Sequence, residues 1–406
     1  MAETILVLNA GSSSIKFELF EVAPGDRLAS RFSGQIEGIG VRPHLYARKA
    51  GGETLVDRAV ALEEAADVER AMGVVEAWLD EILDGSPAAV GHRVVHGGPV
   101  HAAPIAIDAR VLTTLESFVP LAPLHQPNNL APIRSLLRRR PDLLQVACFD
   151  TGFHRGHGEL ADRFALPEAL WEEGIRRYGF HGLSYEYIAA RLPELAPEIA
   201  QGRVIVAHLG SGCSMCALRA GRSVESTMGF TALDGLPMGT RPGQLDAGVV
   251  LHLLTAKGMD AAALERFLYH ECGLKGLSGI SNDVRVLLAS PDPRAKRALD
   301  FFTYKIAQMT GWLAAALEGL DGFVFTAGIG ENAPTIREAV AHRLAWLGMT
   351  LDPHANAVHG PLISAAGSRV RVYVIPTDEE LMIARHTLAI LRRGRPGGAA
   401  RSTAAG

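Results

Sequence analysis

Residues 5–8 (Ile-Leu-Val-Leu) form an unbroken apolar run, and residues 15–19 alternate, with Ile15, Phe17 and Leu19 on one side and Lys16 and Glu18 on the other. A short apolar run followed by period-two alternation predicts two strands, not a helix. Between them lies the small polar segment Asn9-Ala-Gly-Ser-Ser-Ser14, so the pair reads as a hairpin. The device recurs at 204–218, VIVAHLGSGCSMCAL. With Gly11 placed on Gly210, Asn9 falls on His208 and Ser12 on Ser211. Two such hairpins about half a chain apart predict a duplicated fold with one nucleotide between its halves.

The remaining pattern mixes both periods. An amphipathic helix is predicted over 65–83, and a second apolar-periodic helix closes at Arg138-Arg139-Arg140, just before Pro141. Cations suit a helix C-terminus, so this run reads as a solvated helix end and not as a binding patch. Strands are predicted at 143–150, 204–209, 323–328 and 371–376. A long helix is predicted from about Arg294 to Leu317, another closing at Gly348, and a last one starting near Asp378. From Arg392 to Gly406 the chain is rich in Gly, Ala and Arg without apolar period, which predicts a disordered tail. Strands and helices mix throughout, so the fold class is α/β.

The 406 residues suffice for two or three domains. A net charge of −4 gives no support for a nucleic-acid or membrane partner. No apolar run reaches the ~18 residues of a spanning helix, and no basic-then-apolar signal pattern opens the chain. A cytoplasmic protein is the expectation. Cys213-Ser-Met-Cys216 spells C-x-x-C, but no second pair follows and Cys216 lies within an alternating strand, so both read as small packing residues.

Candidate chemistry sits in glycine-flanked loops. The hydroxyls and backbone N–H groups of the first hairpin suit phosphate oxygens, and Lys16 adds a point charge. The strand, glycine loop and helix of a Walker A motif are absent. Arg93 (GHRVVHGG) and Arg241 (MGTRPG) lie where an arginine is preset to grip an anion with both arms. His181 (RYGFHGLS) precedes a helix that Ser184 is placed to cap, and its imidazole suits donation to a charged transition state. His154 and His157 spell H-x-x-H without an acidic or cysteine partner at helical spacing, which argues against zinc. Asp150 ends the strand VACFD, a common place for an active-site carboxylate. In FTAGIGEN, the glycines allow close approach to a flat ligand and Asn332 reads as an N-cap. With Thr377 as N-cap of the last helix, Glu380 completes a capping box and Glu379 is left for Mg²⁺.

Taken together, NAGSSSIKF, GHRVVHGG, PLHQPNN, CFDTGFH, RYGFHG, HLGSG, MGTR, SNDVR, TAGIGEN and PTDEE resemble the acetate kinase family, within the acetate/sugar kinase, heat-shock-ATPase and actin superfamily. The resemblance runs from Ile5 to about Leu391. It implies ATP + acetate ⇌ ADP + acetyl phosphate, with Mg²⁺ or Mn²⁺, in a homodimer. It implies two duplicated ribonuclease-H-like domains with a nucleotide cleft between them. The first would span 1–150 plus a returning helix at about 379–391, and the second, nucleotide-binding, 151–378. By the same resemblance Asn9 and Glu379 help hold the metal, and Lys16 contacts nucleotide phosphates. Further nucleotide contacts come from His208, Leu209, Gly210, Ser211 and Gly212, from Asp283, Val284 and Arg285, and from Gly328, Ile329, Gly330, Glu331 and Asn332. Arg93 binds the carboxylate substrate, Asp150 is the residue usually called acid/base, and His181 and Arg241 stabilise the transition state. The apolar acyl pocket maps to Val95, Leu124 and Phe180.

A carboxylate substrate is already ionised near neutral pH, since carboxyl groups titrate around pH ~4. It needs no base, so Asp150 is expected to orient an arginine or the metal shell. The chain departs from the family's usual residues at Ser211, Cys213, Pro242 and Gln244, and Ala232 stands where proline is usual. A roomier pocket admits propionate, because one methylene discriminates by only ~1–3 kcal/mol. The alternative readings are a propionate or short-chain acyl kinase, a sugar kinase and a non-enzymatic actin-like nucleotide switch.

Overall fold

The computed structural model describes residues 3–83 and 85–394. Residues 395–406, most of the segment expected to be a tail, lie outside the described residues. The chain divides into two compact units, residues 1–152 with 378–406, and residues 153–377. Six helices matter here: α1 (Val68–Ile82), α2 (Gln126–Arg139), α3 (Gly182–Leu195), α4 (Pro293–Leu317), α5 (Ala327–Asn332) and α6 (Glu379–Arg393).

In the first unit, β1 (Thr4–Ala10), β2 (Ser14–Ala23), β3 (Arg27–Glu37), β4 (His44–Lys49), β5 (Thr54–Ala59), β6 (Ala89–Val94), β7 (Ile105–Ala106) and β8 (Leu144–Phe149) form one sheet in the order β5-β4-β3-β2-β1-β6-β8-β7. β1, β2 and β3 pair antiparallel, whereas β6 and β8 run parallel to β1. The unbroken run Ile5–Leu8 is explained by burial on both faces of this central strand. Leu6, Leu8 and Val90 join the core under α1, with Phe17 and Phe32 against Trp78. Val7 pairs with Gly91, whose missing side chain admits α6: a Cβ there would lie 2.3 Å from Thr387 Oγ1 and 2.6 Å from Ile383 Cγ2.

In the second unit, β9 (Arg203–Leu209), β10 (Cys213–Arg219), β11 (Arg222–Ser226), β12 (Gly322–Thr326) and β13 (Arg371–Val374) follow the order β11-β10-β9-β12-β13. The first three pair antiparallel, and β12 and β13 continue parallel to β9. This is the arrangement of β3-β2-β1-β6-β8 repeated, so each unit is a ribonuclease-H-like α/β domain and the fold is duplicated. Helix α3 packs its Tyr185, Ile188 and Leu192 on Val204, Val206 and Cys216, while α4 lies against β9 and β10.

One local expectation is extended and another corrected. Arg138, Arg139 and Arg140 do form a solvated helix end, the first two being exposed, and they add what the sequence did not show: pairs with Glu69, Glu76 and Asp80 that strap α2 to α1. Helix α6 continues through Arg393 where a tail from Arg392 was expected, and Arg392 is held by Glu3 and Asp26. Among the described residues, no helix is long and apolar enough to cross a membrane.

Candidate active site

In the first unit, β6 and β8 end side by side. Arg93 therefore reaches Asp150, the residue just past β8. The pair is bidentate, with Nε to Oδ1 at 3.0 Å and Nη2 to Oδ2 at 2.5 Å, and Asp150 is 1% exposed. Arg93 Nη1 donates to Asn9 Oδ1 at the end of β1 (3.3 Å), and Asn9 Nδ2 donates to Glu380 Oε1 (3.2 Å). Glu379 Oε2 lies 3.7 Å from Arg93 Nε.

The carboxylates come from the first turn of α6, but not through the expected capping box. Asp378, not Thr377, is the N-cap, and its carboxylate accepts from the Leu381 amide (2.8 Å). Glu379 and Glu380 thus occupy the first two helical positions. Glu380 is drawn to Asn9 instead of back to the helix end.

Burial works against the Arg93 charge, but Asp150 and then Glu379 more than reverse this and hold the guanidinium above its ordinary value. Burial pushes Glu379 up to about 7; Arg93 opposes the rise, and Asp150 and Glu380 add to it. Three carboxylates thus crowd one guanidinium, a site with demand for further positive charge. Amide and carboxylate oxygens are hard donors that suit a divalent cation. Asn9, Glu379 and Glu380 fit that role. Among the described residues no group of three or more His, Cys, Asp or Glu is arranged to hold a metal unaided. An ion here would share its shell with water or phosphate, the habit of Mg²⁺.

Lys16 pairs across the hairpin with Asn9 and lines a cavity of about 310 Å³ with Glu18, Gln35, Arg48 and Glu380. A larger groove, about 810 Å³ along α1, carries none of the expected site residues. Val95 is buried, its amide held by Asn129 Oδ1 (2.8 Å), and Leu124 is half-buried.

In the second unit, His181 adopts a left-handed conformation (φ 58°) and is itself the residue that caps α3. Ser184, expected as the cap, lies inside the helix and bonds His208 instead (Oγ to Nδ1, 2.9 Å). His181 and His208 stack with ring centroids 4.1 Å apart at 17°. The Gly210–Gly212 turn lies against both. A Cβ on Gly212 would sit 2.8 Å from Arg241 Nη2 and 3.3 Å from His181 Nε2. Arg241 is fixed by Nη1 donating to the Ala232 carbonyl (2.8 Å), and Gly273 (φ 62°) lets the backbone pass behind it. The Gly239 amide donates to the Ser211 carbonyl (3.3 Å), tying the MGTR loop to the turn.

Other expected nucleotide residues are placed as follows. Gly210 adjoins Ala327, which begins α5 and takes a positive φ of 63°. Asn332 is not an N-cap: it ends α5, and its Nδ2 donates back to the Gly328 carbonyl (2.9 Å). Glu331 Oε1 accepts from the Thr377 amide (3.2 Å). Asp283 caps the short helix Val284–Ala289 and pairs with the exposed Arg285 (2.6 Å). Phe180 is buried, and its carbonyl is bound by His154 Nε2 (3.0 Å). His154 and His157 both bond Ser223 Oγ, at 2.8 and 2.6 Å. Burial pushes the Cys213 thiol up to about 12, and that of Cys216 higher still.

Sequence reasoning did not select Glu380 as a partner of Asn9. It also missed Ser214, Tyr185 and Thr377, whose hydroxyls surround the histidines. The available signal was a hydroxyl, Ser214, in an otherwise apolar strand.

The profile of the acetokinase family matches residues 4–385. The chain belongs to the acetokinase family. The acetate kinase of Nitrobacter hamburgensis is 63% identical to this acetokinase over 389 residues, 96% of each chain. Among solved structures, acetate kinase from Porphyromonas gingivalis aligns with a TM-score of 0.84 at 35% identity, covering 96% of this chain and 100% of that one. A propionate kinase from Francisella tularensis aligns at 0.87 and 34%, covering 95% and 99%. The family read from the ten sequence segments is thus the family found.

Proposed function

We propose that this acetokinase transfers the γ-phosphoryl group of ATP to acetate, reversibly and with Mg²⁺, giving acetyl phosphate and ADP. The observation that carries this is the 63% identity, over 96% of each chain, with an acetate kinase. The chain is a phosphotransferase with a carboxyl acceptor. In such transfer the protein mainly positions reactants and neutralises charge on the moving phosphoryl group.

Arg93 has five N–H groups, and Asp150 and Asn9 engage three of them. The other two are available for a carboxylate substrate. Asp150, bidentate on Arg93, acts as its orienter; an ionised acid needs no base. Asn9 and Glu379, with Glu380 beside them, hold the divalent ion, which supplies charge to phosphoryl oxygens when bound. His181 and Arg241, both against Gly212, donate to the transferring group, and the Gly210–Gly212 and Gly328–Asn332 segments serve the nucleotide. Val95, Leu124 and Phe180 supply apolar surface for the acyl group. A homodimer in the cytoplasm completes the reading; helix Ala247–Thr255, AGVVLHLLT, has no buried residue, which supports a second copy covering it.

The test is ADP formation from Mg·ATP with acetate, propionate or butyrate, with acyl phosphate trapped as hydroxamate. Acyl hydroxamate with acetate preferred is the expected result. Preference for propionate would move the chain to the related acyl kinases and assign Ala232 the wider pocket. ADP without hydroxamate would overturn the reading.

A further inference from the structure

Two hydrogen-bonded chains end on the two stacked histidines. In one, Tyr185 OH lies 2.5 Å from Ser214 Oγ, which lies 2.8 Å from His181 Nδ1. In the other, Thr377 Oγ1 donates to Ser184 Oγ (2.8 Å), which lies 2.9 Å from His208 Nδ1. Ser184, Tyr185 and Ser214 are fully buried. All these groups belong to the second unit.

We propose that Tyr185 with Ser214, and Thr377 with Ser184, are positioning pairs that hold His181 and His208 as neutral imidazoles protonated on Nε2, so that both N–H groups face the Gly210–Gly212 turn as donors to phosphoryl oxygens. The assignment to phosphoryl oxygens rests on the phosphotransfer reading; the tautomers do not.

Hydrogen placement follows from satisfying each buried group. A buried phenol must place its proton on an acceptor, and among the described residues its side-chain partner is Ser214 Oγ. The serine's own proton then has His181 Nδ1 as its acceptor. That nitrogen accepts, so the ring proton is on Nε2. At His208 the half-buried Thr377 hydroxyl donates to Ser184 Oγ, which leaves the serine proton for Nδ1. Burial, the foremost cause, pushes the Tyr185 phenol well above its ordinary value, so it keeps its proton. Titratable groups near these rings include the high-titrating thiols Cys213 and Cys216, His154 at 5.6 Å from the Tyr185 ring, and the Arg241 guanidinium. A permanent cation beside His181 Nε2, with a second imidazole stacked at 4.1 Å, favours two neutral rings over two imidazoliums.

The two Nε2 atoms converge on the turn. A Cβ at Gly210 would lie 3.9 Å from His208 Nε2, and one at Gly212 3.3 Å from His181 Nε2. Preorganised donors of this kind act where charge develops in a transition state.

The experiment is ¹⁵N imidazole NMR on the whole protein at neutral pH, with kinetics on Ser214→Ala, Ser214→Thr and Thr377→Val. In the wild type both histidines should show a pyridine-type Nδ1 and a pyrrole-type Nε2. Ser214→Ala should mix the tautomers of His181 alone and lower kcat roughly 10- to 100-fold, with KM for acetate within a few-fold. Ser214→Thr should restore both signatures, and Thr377→Val should perturb His208 alone. A proton on Nδ1 of either ring in the wild type overturns the proposal, even if no variant folds. So does an unchanged His181 tautomer in Ser214→Ala. A wild type that makes no acyl phosphate but shows the stated tautomers would remove the functional reading and leave the positioning pairs standing.

Discussion

The same five-strand arrangement ends in charge in one unit and in neutral hydrogen bonds in the other. Counted from the strand pairing, His208 takes the place of Asn9, Ser214 that of Lys16, Thr326 that of Arg93 and Thr377 that of Asp150. The first hairpin has one more residue in its turn, so the match holds from the strand side and slips within the loop. In the first unit the Asp150 amide continues the ladder by donating to the Val94 carbonyl (3.1 Å), which sets its carboxylate beside Arg93. In the second, Ala327 turns to positive φ directly after β12 and the Thr377 amide leaves the ladder for Glu331 Oε1. One backbone plan thus gathers Asn9, Lys16, Arg93 and Asp150, with charge among them, in one copy, and His208, Ser214, Thr326 and Thr377 in the other. Chemistry at a strand end is set by side chain and local turn, not by topology.

The largest expected effect separates Arg93 from Thr326. Arg93→Met leaves Asp150 buried and unpaired, which costs about 3–5 kcal/mol and should lower kcat/KM by at least roughly 10²-fold. Thr326 Oγ1 is buried with no hydrogen-bond partner among the described residues. Thr326→Val should therefore be neutral or slightly stabilising. Asp150→Asn should lose turnover without moving the pH profile, as an orienter would. Urea denaturation and steady-state kinetics check all three. Equal destabilisation by Arg93→Met and Thr326→Val would erase the contrast, and near-full turnover in Asp150→Asn would detach Asp150 from Arg93's function.

Each unit also buries a histidine whose titration opposes folding in acid. His92 bonds Gln145 (2.8 Å) between β6 and β8, and His154 sits between Ser223 and the Phe180 carbonyl. Burial pushes both down to about 3. With an unfolded value near 6.5, the unfolded chain binds protons that the folded one refuses. Stability is thus full above about pH 6.5 and lost as pH falls toward 3, at up to about 1.4 kcal/mol per pH unit for each ring. Glu18 and Glu379, raised by burial to about 7, work in the opposite direction as pH rises from about 4.5 to 7, and both lie in the first unit. Subtracting the stability curves of His92→Gln and His154→Gln from the wild type isolates each histidine. A flat difference curve between pH 6.5 and 4 would mean that the ring is protonated in the fold.

Both hairpins, the long helix and the final strand were legible because period and turn chemistry are local. What failed depended on contacts far along the chain. Thr377 and Asp378 are adjacent and both good caps; the Asn9–Glu380 bond across 371 positions of sequence accompanies the shift to Asp378. Ser184 reads as a cap only while the backbone of His181 is unknown. The triple arginine is solvated as expected, but its acids, Glu69, Glu76 and Asp80, sit on another helix and could not be read as its partners. Ser214 gained meaning only when the fold brought it to His181, 33 positions away. Arg93 and Asp150 were each selected as site residues, but their bidentate pairing belongs to the adjacency of β6 and β8, which one sequence does not display.

The smallest expected effect compares one glycine from each turn, Gly11 and Gly212. A Cβ on Gly11 would meet nothing closer than the Ser14 carbonyl at 3.7 Å, an ordinary contact, and Gly11 is not among the positive-φ residues. Gly11→Ala should then leave stability within about 0.5 kcal/mol, and turnover within a few-fold. At Gly212 the added carbon would fall 2.8 Å from Arg241 Nη2 and 3.3 Å from His181 Nε2. The arginine tip is flexible and can retreat, so folding should be nearly unharmed. That retreat displaces the donor itself, and a loss of roughly tenfold in kcat corresponds to about 1.4 kcal/mol of transition-state stabilisation. The two alanine variants each add one methyl group, at different places in the corresponding turns, so only the general cost of replacing a turn glycine is shared. If both lose tenfold, the turns act alike and the division into a charged and a neutral copy does not extend to them. If Gly212→Ala alone loses turnover with stability intact, the crowding of Arg241 and His181 around that glycine is what the second turn is built to allow.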